Sequence, residues 1–150
     1  MTAHAVVRQV VPAGAEAAFD LIHDYRRRLT WDTLLSSAYT VDDAEPDVGV
    51  EAVCTARPSL GGLSFRTRYV TFRRPTLAAV TLVNTPPFFA TWAASIRHKP
   101  LDDHSSEVVY TLTFTGRPRV LAPVIEAVAL RAFRWETQRR LRALARHLAR

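Results

Sequence analysis

After Pro118 the chain reads as one long helix, Val120 to Arg150, interrupted only by Pro123, which a first helical turn tolerates because an N–H there has no intrahelical partner to lose. Its apolar stripe shifts along its length. The early part runs through Leu121, Val124, Ile125, Val128, Ala132 and Trp135; the later part runs through Leu130, Phe133, Leu141, Leu144 and Leu148, displaced by well over a quarter-turn. Between Val128 and Trp135 the helix is apolar nearly all round. Such a stretch must touch apolar material on two sides: either the helix bends, or the second side is a loop, a partner chain or a ligand.

The residues before it follow another period. From Leu35 to Gly116 apolar and polar residues alternate, broken by turn chemistry at DDAEPDVG, RPSLGG, RRP, NTPP and PLDDHSS, which delimits about six strands. Within Phe88–Lys99, the face carrying Phe88, Ala90, Trp92, Ala94, Ile96 and His98 is expected to point inward. Val108, Tyr110, Leu112 and Phe114 form a second apolar wall of the same sheet. Over Phe65–Arg73 the phase is open, with Tyr69 inward and Arg66 and Arg68 outside as the preferred reading. Short connections favour an antiparallel meander. Upstream, His4–Val11 is a valine-rich strand closed by Pro12, and Ala17, Ala18, Leu21 and Ile22 mark a short amphipathic helix within Ala13–Asp24. A second helical turn is expected within Tyr25–Leu34.

At 150 residues, 48% apolar and 23% charged, the chain fits one domain that needs neither metal nor disulfide to hold its core. No apolar run approaches the ~20 residues that span a bilayer. The start, MTAHAVVRQVV, lacks a secretory pattern and the lone Cys54 excludes an internal disulfide, so a cytoplasmic location is expected. The net charge of +6 has a single source. Met1–Pro118 balances twelve basic against twelve acidic residues, whereas Arg119–Arg150 holds eight arginines against Glu126 and Glu136. This basic helix reads as a solvated face and not as a nucleic-acid site, since no phosphate loop, zinc-finger spacing or basic-aromatic RNA motif accompanies it. It leaves room for transient contact with a membrane surface.

Groups able to do chemistry are sparse. His4, His23, His104 and His147 are dispersed without metal-ligand spacing, so no metal and no cofactor is implied. His98, beside Lys99 and Pro100, reads as a surface histidine at a strand end. Cys54 reads as a small buried hydrophobe, there being no base near it in sequence. Consecutive Arg26, Arg27 and Arg28 point in three directions and cannot converge on one anion, although one of them can rim a pocket. Trp31 reads as buried framework and Asp32 as a partner for an arginine or a cap for a turn.

Strand, short helices ending in Trp-Asp, about six alternating strands and a long last helix make an order that resembles the polyketide cyclase/dehydrase and lipid-transport branch of the START-like (SRPBCC) superfamily. The resemblance covers essentially the whole chain. Its most specific segment, PAGAEAAFDLIHDYRRRLTWD, is similar to the family's Pro-initiated helix leading to a Trp near an acidic residue. It implies an α+β helix-grip fold, in which a curved antiparallel sheet of about seven strands wraps the C-terminal helix, two short helices follow the first strand, and a cavity lies between sheet and helix. It also implies that residues 1–150 form a single ligand-binding domain. The lining expected is Tyr69, Trp92, Tyr110, Leu112 and Phe114 from the sheet with Val128 and Trp135 from the helix, so that Trp92 and Trp135 approach one cavity from opposite sides.

The function expected is binding or carriage of a small hydrophobic or amphipathic molecule of the lipid, polyketide or isoprenoid class. Two others stand beside it. One is a cyclase or dehydratase in which Tyr69, Tyr110 and His98 move protons or orient the substrate; the other is a protein-interaction module using the basic helix. Fold alone does not choose among them.

Overall fold

The computed structural model describes residues 2–150. Seven strands form one antiparallel sheet: β1 (Ala3–Val11), β2 (Leu35–Thr40), β3 (Glu51–Ala56), β4 (Ser64–Arg73), β5 (Leu77–Leu82), β6 (Phe89–Asp102) and β7 (Ser105–Gly116), in the order β1-β7-β6-β5-β4-β3-β2. The run β2 to β7 is the expected meander. β1 closes the other edge by pairing with β7, Ala3 opposite Phe114 and Val11 opposite Ser106. Helix α1 (Ala15–Ile22) follows β1, and helix α2 (Ala122–Leu148) follows β7. Of the two short helices expected after β1, α1 forms in full and the second is reduced to one turn. Arg28–Thr30 makes a single 3-10 turn, because the Arg28 side chain turns inward to Asp32 and the arginine run offers no apolar stripe to seat a further turn.

Irregular register at Ser36, Val70, Ala90 and Leu101 puts an extra residue into a strand, which bends it and tightens its twist. The sheet curls as a result. At Ala90 the bulge also changes strand phase: Phe89, Trp92, Ala94, Ile96 and His98 are buried, while Phe88 and Ala90, expected inside, are exposed. The Phe88 backbone has φ 74°, a left-handed conformation that a bulky side chain adopts only at a cost.

α2 lies across β1 and β7. Its start is pinned to the end of the sheet, where Glu126 Oε2 accepts the Gly116 N–H at 2.9 Å. A Cβ on Gly116 would stand 3.1 Å from Ile125, so glycine allows this close approach. Buried or half-buried Glu126, Leu130, Phe133, Thr137, Leu141 and Leu144 make the inner stripe, and Leu121, Val124, Val128 and Trp135 face outward. The later of the two apolar stripes is therefore the packed one. α1 covers β6 and β7 beyond the helix, with Phe19 buried against Tyr69 and Ala78. Because α2 sits toward the β1–β7 edge while the sheet curls over it from β6 to β3, the two do not close on each other, and a cavity remains. Among the described residues no helix is long and apolar enough to cross a membrane.

Candidate ligand cavity

The cavity measures about 250 Å³, and its wall changes character along its length. At the end near the start of α2 it is aromatic. The Phe65 ring lies 5.1 Å from Trp92, 5.4 Å from Phe89 and 6.4 Å from Phe133, in the tilted and edge-on arrangements aromatic pairs prefer. Leu60, Leu63 and Ala132 complete that end, and Ala132 is exposed, so the cavity reaches solvent beside it. At the other end the wall carries His23, Tyr25, Arg28, Tyr69, Tyr110 and Arg140.

Two arginines at that end share one carboxylate. Arg28 Nε donates to Asp32 Oδ2 at 2.9 Å and Nη1 to the Ile22 carbonyl at 3.0 Å, while Arg140 donates through Nε at 3.0 Å to Oδ1 and through Nη2 at 2.9 Å to Oδ2. The Leu34 N–H adds a bond to Oδ1 at 3.0 Å. Burial pushes the Asp32 carboxyl up, but Arg140 and Arg28 outweigh it and hold its pKa at about 2. Both guanidinium groups also lie over rings, Arg28 over Tyr25 and Trp31 at 5.5 and 5.2 Å, Arg140 over Tyr110 at 5.7 Å. With two cations on one anion, this cluster carries a net positive charge, and Glu136 adds a carboxylate to the same cavity wall from α2.

Beside it runs a hydrogen-bonded chain: His23 Nδ1 to the Tyr69 hydroxyl at 2.7 Å, and that hydroxyl to Tyr25 Oη at 2.8 Å. Burial, then the charge of Arg28, drives the His23 pKa well below its usual value, so the imidazole is neutral near pH 7. Tyr69 has one proton to give. If it goes to His23, the histidine proton sits on Nε2, a buried atom with no partner; if it goes to Tyr25, His23 Nδ1 donates to Tyr69 and only a lone pair is left bare. An unpaired N–H costs more than an unpaired lone pair, which favours the second arrangement and turns the Tyr25 proton toward the cavity. Burial raises the Tyr25 pKa to about 12, so it acts there as a neutral donor.

Of the expected lining, Tyr69, Trp92, Tyr110 and Leu112 stand in the wall. Phe114 is fully buried behind it, its ring 5.7 Å from Phe89 and 5.2 Å from Phe133. Val128 and Trp135 are corrected: they are 65% and 59% exposed on the outer face of α2, and Phe133, not Trp135, faces Trp92 from the helix. The cause is that the inner stripe contains Glu126, Glu136 and Arg140, charges that made it look like the solvated side. His98 is corrected as well. It is 2% exposed, because β6 continues to Asp102 and α1 lays Phe19 over it at 5.3 Å; burial lowers its pKa to about 4, and it does not reach the cavity. Arg140, His23 and Tyr25 escaped the sequence reading; Arg28 is the one arginine of its triplet that lines the cavity, and its pairing with Asp32 identifies the arginine partner expected there.

The family model for polyketide cyclase / dehydrase and lipid transport matches residues 2–149. No curated protein matches the chain by sequence. Among solved structures, the Zhui aromatase/cyclase of a Streptomyces species superposes with a TM-score of 0.84 at 15% identity, covering 100% of this chain and 95% of that one. A START superfamily protein from Mycobacterium smegmatis gives 0.72 at 14% identity, with 93% and 97% covered. Norcoclaurine synthase from Thalictrum flavum, in complex with dopamine and hydroxybenzaldehyde, gives 0.68 at 11%, with 99% and 87% covered. At these identities the structural likeness speaks for the fold, the START-like helix-grip. Matched by the family model over nearly its whole length, the chain belongs to the polyketide cyclase / dehydrase and lipid transport family.

Proposed function

We propose that the cavity binds one small amphipathic molecule, its apolar body against Phe65, Phe89, Trp92 and Phe133 and its oxygen-bearing end against Tyr25, Arg28 and Arg140. The observation that carries this reading is the division of the wall into an aromatic end and a cationic, hydrogen-bonding end. Protein interiors hold few voids larger than a water molecule, and a cavity of about 250 Å³ is close to the lower limit for ligand pockets. That size suits a compact molecule better than a two-chain phospholipid. The guanidinium groups of Arg28 and Arg140 and the Tyr25 hydroxyl offer donors to a carbonyl, phenol or carboxylate oxygen, while Glu136 in the same wall offsets the charge left over around Asp32. The likeness to an aromatase/cyclase and to a synthase crystallised with dopamine and hydroxybenzaldehyde agrees with an oxygenated aromatic ligand.

The test is uptake of anilinonaphthalene sulfonate, an apolar body with an anionic end, together with native mass spectrometry of whatever copurifies. Wild type is expected to take up the probe, Tyr25→Phe to bind it about tenfold more weakly through the lost hydrogen bond, and Ala94→Phe to exclude it while staying folded. No uptake by wild type, together with unfolding of Ala94→Phe, means solid core and ends the proposal. A second reading, proton transfer on a bound polyketone, is favoured by the His23–Tyr69–Tyr25 chain ending at the cavity. Turnover of an enolisable polyketone that Tyr25→Phe abolishes without abolishing binding supports it; absence of turnover by wild type leaves binding alone.

A further inference from the structure

Thirteen large apolar residues are exposed among the described residues, and six of them, Phe88, Val120, Leu121, Val124, Val128 and Trp135, gather at the start of α2 and along its outer face. Others, such as Val48 or Leu101, stand apart on separate strands and loops and need no explanation. The six are brought together by backbone. Arg117 donates its N–H to the Phe88 carbonyl at 2.9 Å and Nη2 to the carbonyls of Thr85 and Pro86, both at 2.9 Å, which ties the β5–β6 loop to the segment leading into α2. Asn84 in turn donates to the Ser64 carbonyl at 3.0 Å, so the β3–β4 loop ends at the same place. Phe88 is held outward by a left-handed backbone, an arrangement that folding stability alone does not favour.

Charge completes the pattern. Leu121, Val124, Val128 and Trp135 lie on one line of the helix, and the same line continues as Arg139, Arg142 and Arg146, all exposed. The Arg139 guanidinium stacks over the Trp135 ring at 4.7 Å, where the apolar part gives way to the basic part. Of the two carboxylates of α2, Glu126 is buried on the opposite side at 6% exposure, and Glu136, 8% exposed, lies inward of the line, 3.7 Å from Arg139, leaving Arg142 and Arg146 without a carboxylate of α2 beside them. The loops at residues 57–63 and 83–88 contain no acid either.

We propose that this face is a docking surface for an anionic lipid bilayer, with the aliphatic residues and Phe88 entering the acyl boundary, Trp135 at headgroup level, and the arginines on the lipid phosphates and carboxylates. The residue types follow the depth order of an interfacial helix: aliphatic, then aromatic, then basic. A nucleic acid would use the arginines and leave the valines idle. The mouth of the cavity at Ala132 lies one helical turn from both Val128 and Trp135, so a docked molecule opens its apolar end next to the membrane. The surface stands whatever the cavity holds.

Co-sedimentation with vesicles of phosphatidylcholine alone, and of phosphatidylcholine mixed with phosphatidylserine, tests this. Wild type is expected to bind only the mixed vesicles, weaken with added salt, and shift its tryptophan emission to the blue; Trp31 and Trp92 are already buried, so Trp135→Phe removes the shift. Reversal of Arg139, Arg142 and Arg146 to Glu should cost about a hundredfold or more in affinity, at roughly fivefold for each of the three basic residues lost near the surface. Val124→Asp with Val128→Asp, both at exposed positions, should release the protein while its melting temperature holds. Three results overturn the proposal: no binding to mixed vesicles at low salt, binding indifferent to the two aspartates, or a dimer in sedimentation equilibrium that the aspartates dissolve, which would assign the face to a second copy.

Discussion

Asp32 and Glu51 are each gripped by two arginines, and little but their surroundings separates them. The Asp32 side chain is wholly buried and its partners Arg28 and Arg140 are 6% and 11% exposed; Glu51 is 19% exposed and its partners Arg66 and Arg68 are 46% and 49% exposed. In water the Glu51 cluster trades one set of strong hydrogen bonds for another, and salt screens what is left. Asp32 has lost its water, so each arginine is indispensable to it and it to them. The same three charges thus decorate the outside of β3 and β4 in one place and shape the wall of a cavity in the other.

The largest expected effect comes from breaking the buried cluster on one side only. Asp32→Leu, which leaves Arg28 and Arg140 buried without their shared carboxylate, should destabilise the fold by ~3–5 kcal/mol in urea denaturation, whereas replacing Arg28, Asp32 and Arg140 together by apolar residues should recover most of that loss. A cost below ~1 kcal/mol for the single change would mean that the two clusters are equivalent after all.

Acid sharpens the contrast next. Asp32 has a folded pKa near 2, below its ordinary value, so its contribution is complete above pH ~4 and is lost as pH falls toward ~2, about 2 kcal/mol in all. His98 titrates earlier. Its folded pKa of about 4 means that the unfolded chain takes up a proton first, so about 3 kcal/mol is lost between pH ~6.5 and ~4. His98→Phe should reduce that upper limb without abolishing it, because buried His23, whose pKa is also driven down, contributes a loss of the same sign; it should leave the Asp32 limb in place and hold or raise stability near pH 7, because both ring nitrogens of His98 lack partners. A profile unchanged by His98→Phe would assign the upper limb elsewhere. The smallest effect belongs to Glu51→Gln, for which no shift in melting temperature is expected at physiological salt; a clear drop would show that exposure had not neutralised the second cluster.

The two clusters also mark what a reader of the sequence sees and misses. Strand periodicity and the run of helical spacing after Pro118 are local signals, and they led to the meander, the inward phase of Tyr69 and the long last helix. The bulge at Ala90 leaves no such signal: one extra residue reverses every side chain beyond it, so the phase that correctly turned Trp92 inward carried Phe88 and Ala90 with it. The cavity's polar end was hidden for a different reason. Asp32 and Arg140 are 108 residues apart, and a buried charge is recognisable only together with its partner. Arg28 lay inside an arginine triplet and Arg140 inside a basic tail, where charge runs ordinarily mean solvent. Arg66 and Arg68, two residues apart on one strand, were legible as a pair sharing a face, and the preferred phase put them outside, where they are.

The pairing of β1 with β7 bears on how the molecule is made. Strands β2 to β7 find their partners among near neighbours and can zip together as they emerge from the ribosome, but β1 leaves first and meets Phe114, Tyr110 and Val108 only after the rest of the sheet exists. Closing so large a loop is entropically expensive until the contacts beyond it form, which makes this step late and slow. α2 rests largely on β1, so it too waits. The strand that is synthesised first is seated among the last, and until then its valines are an open edge available to any other chain.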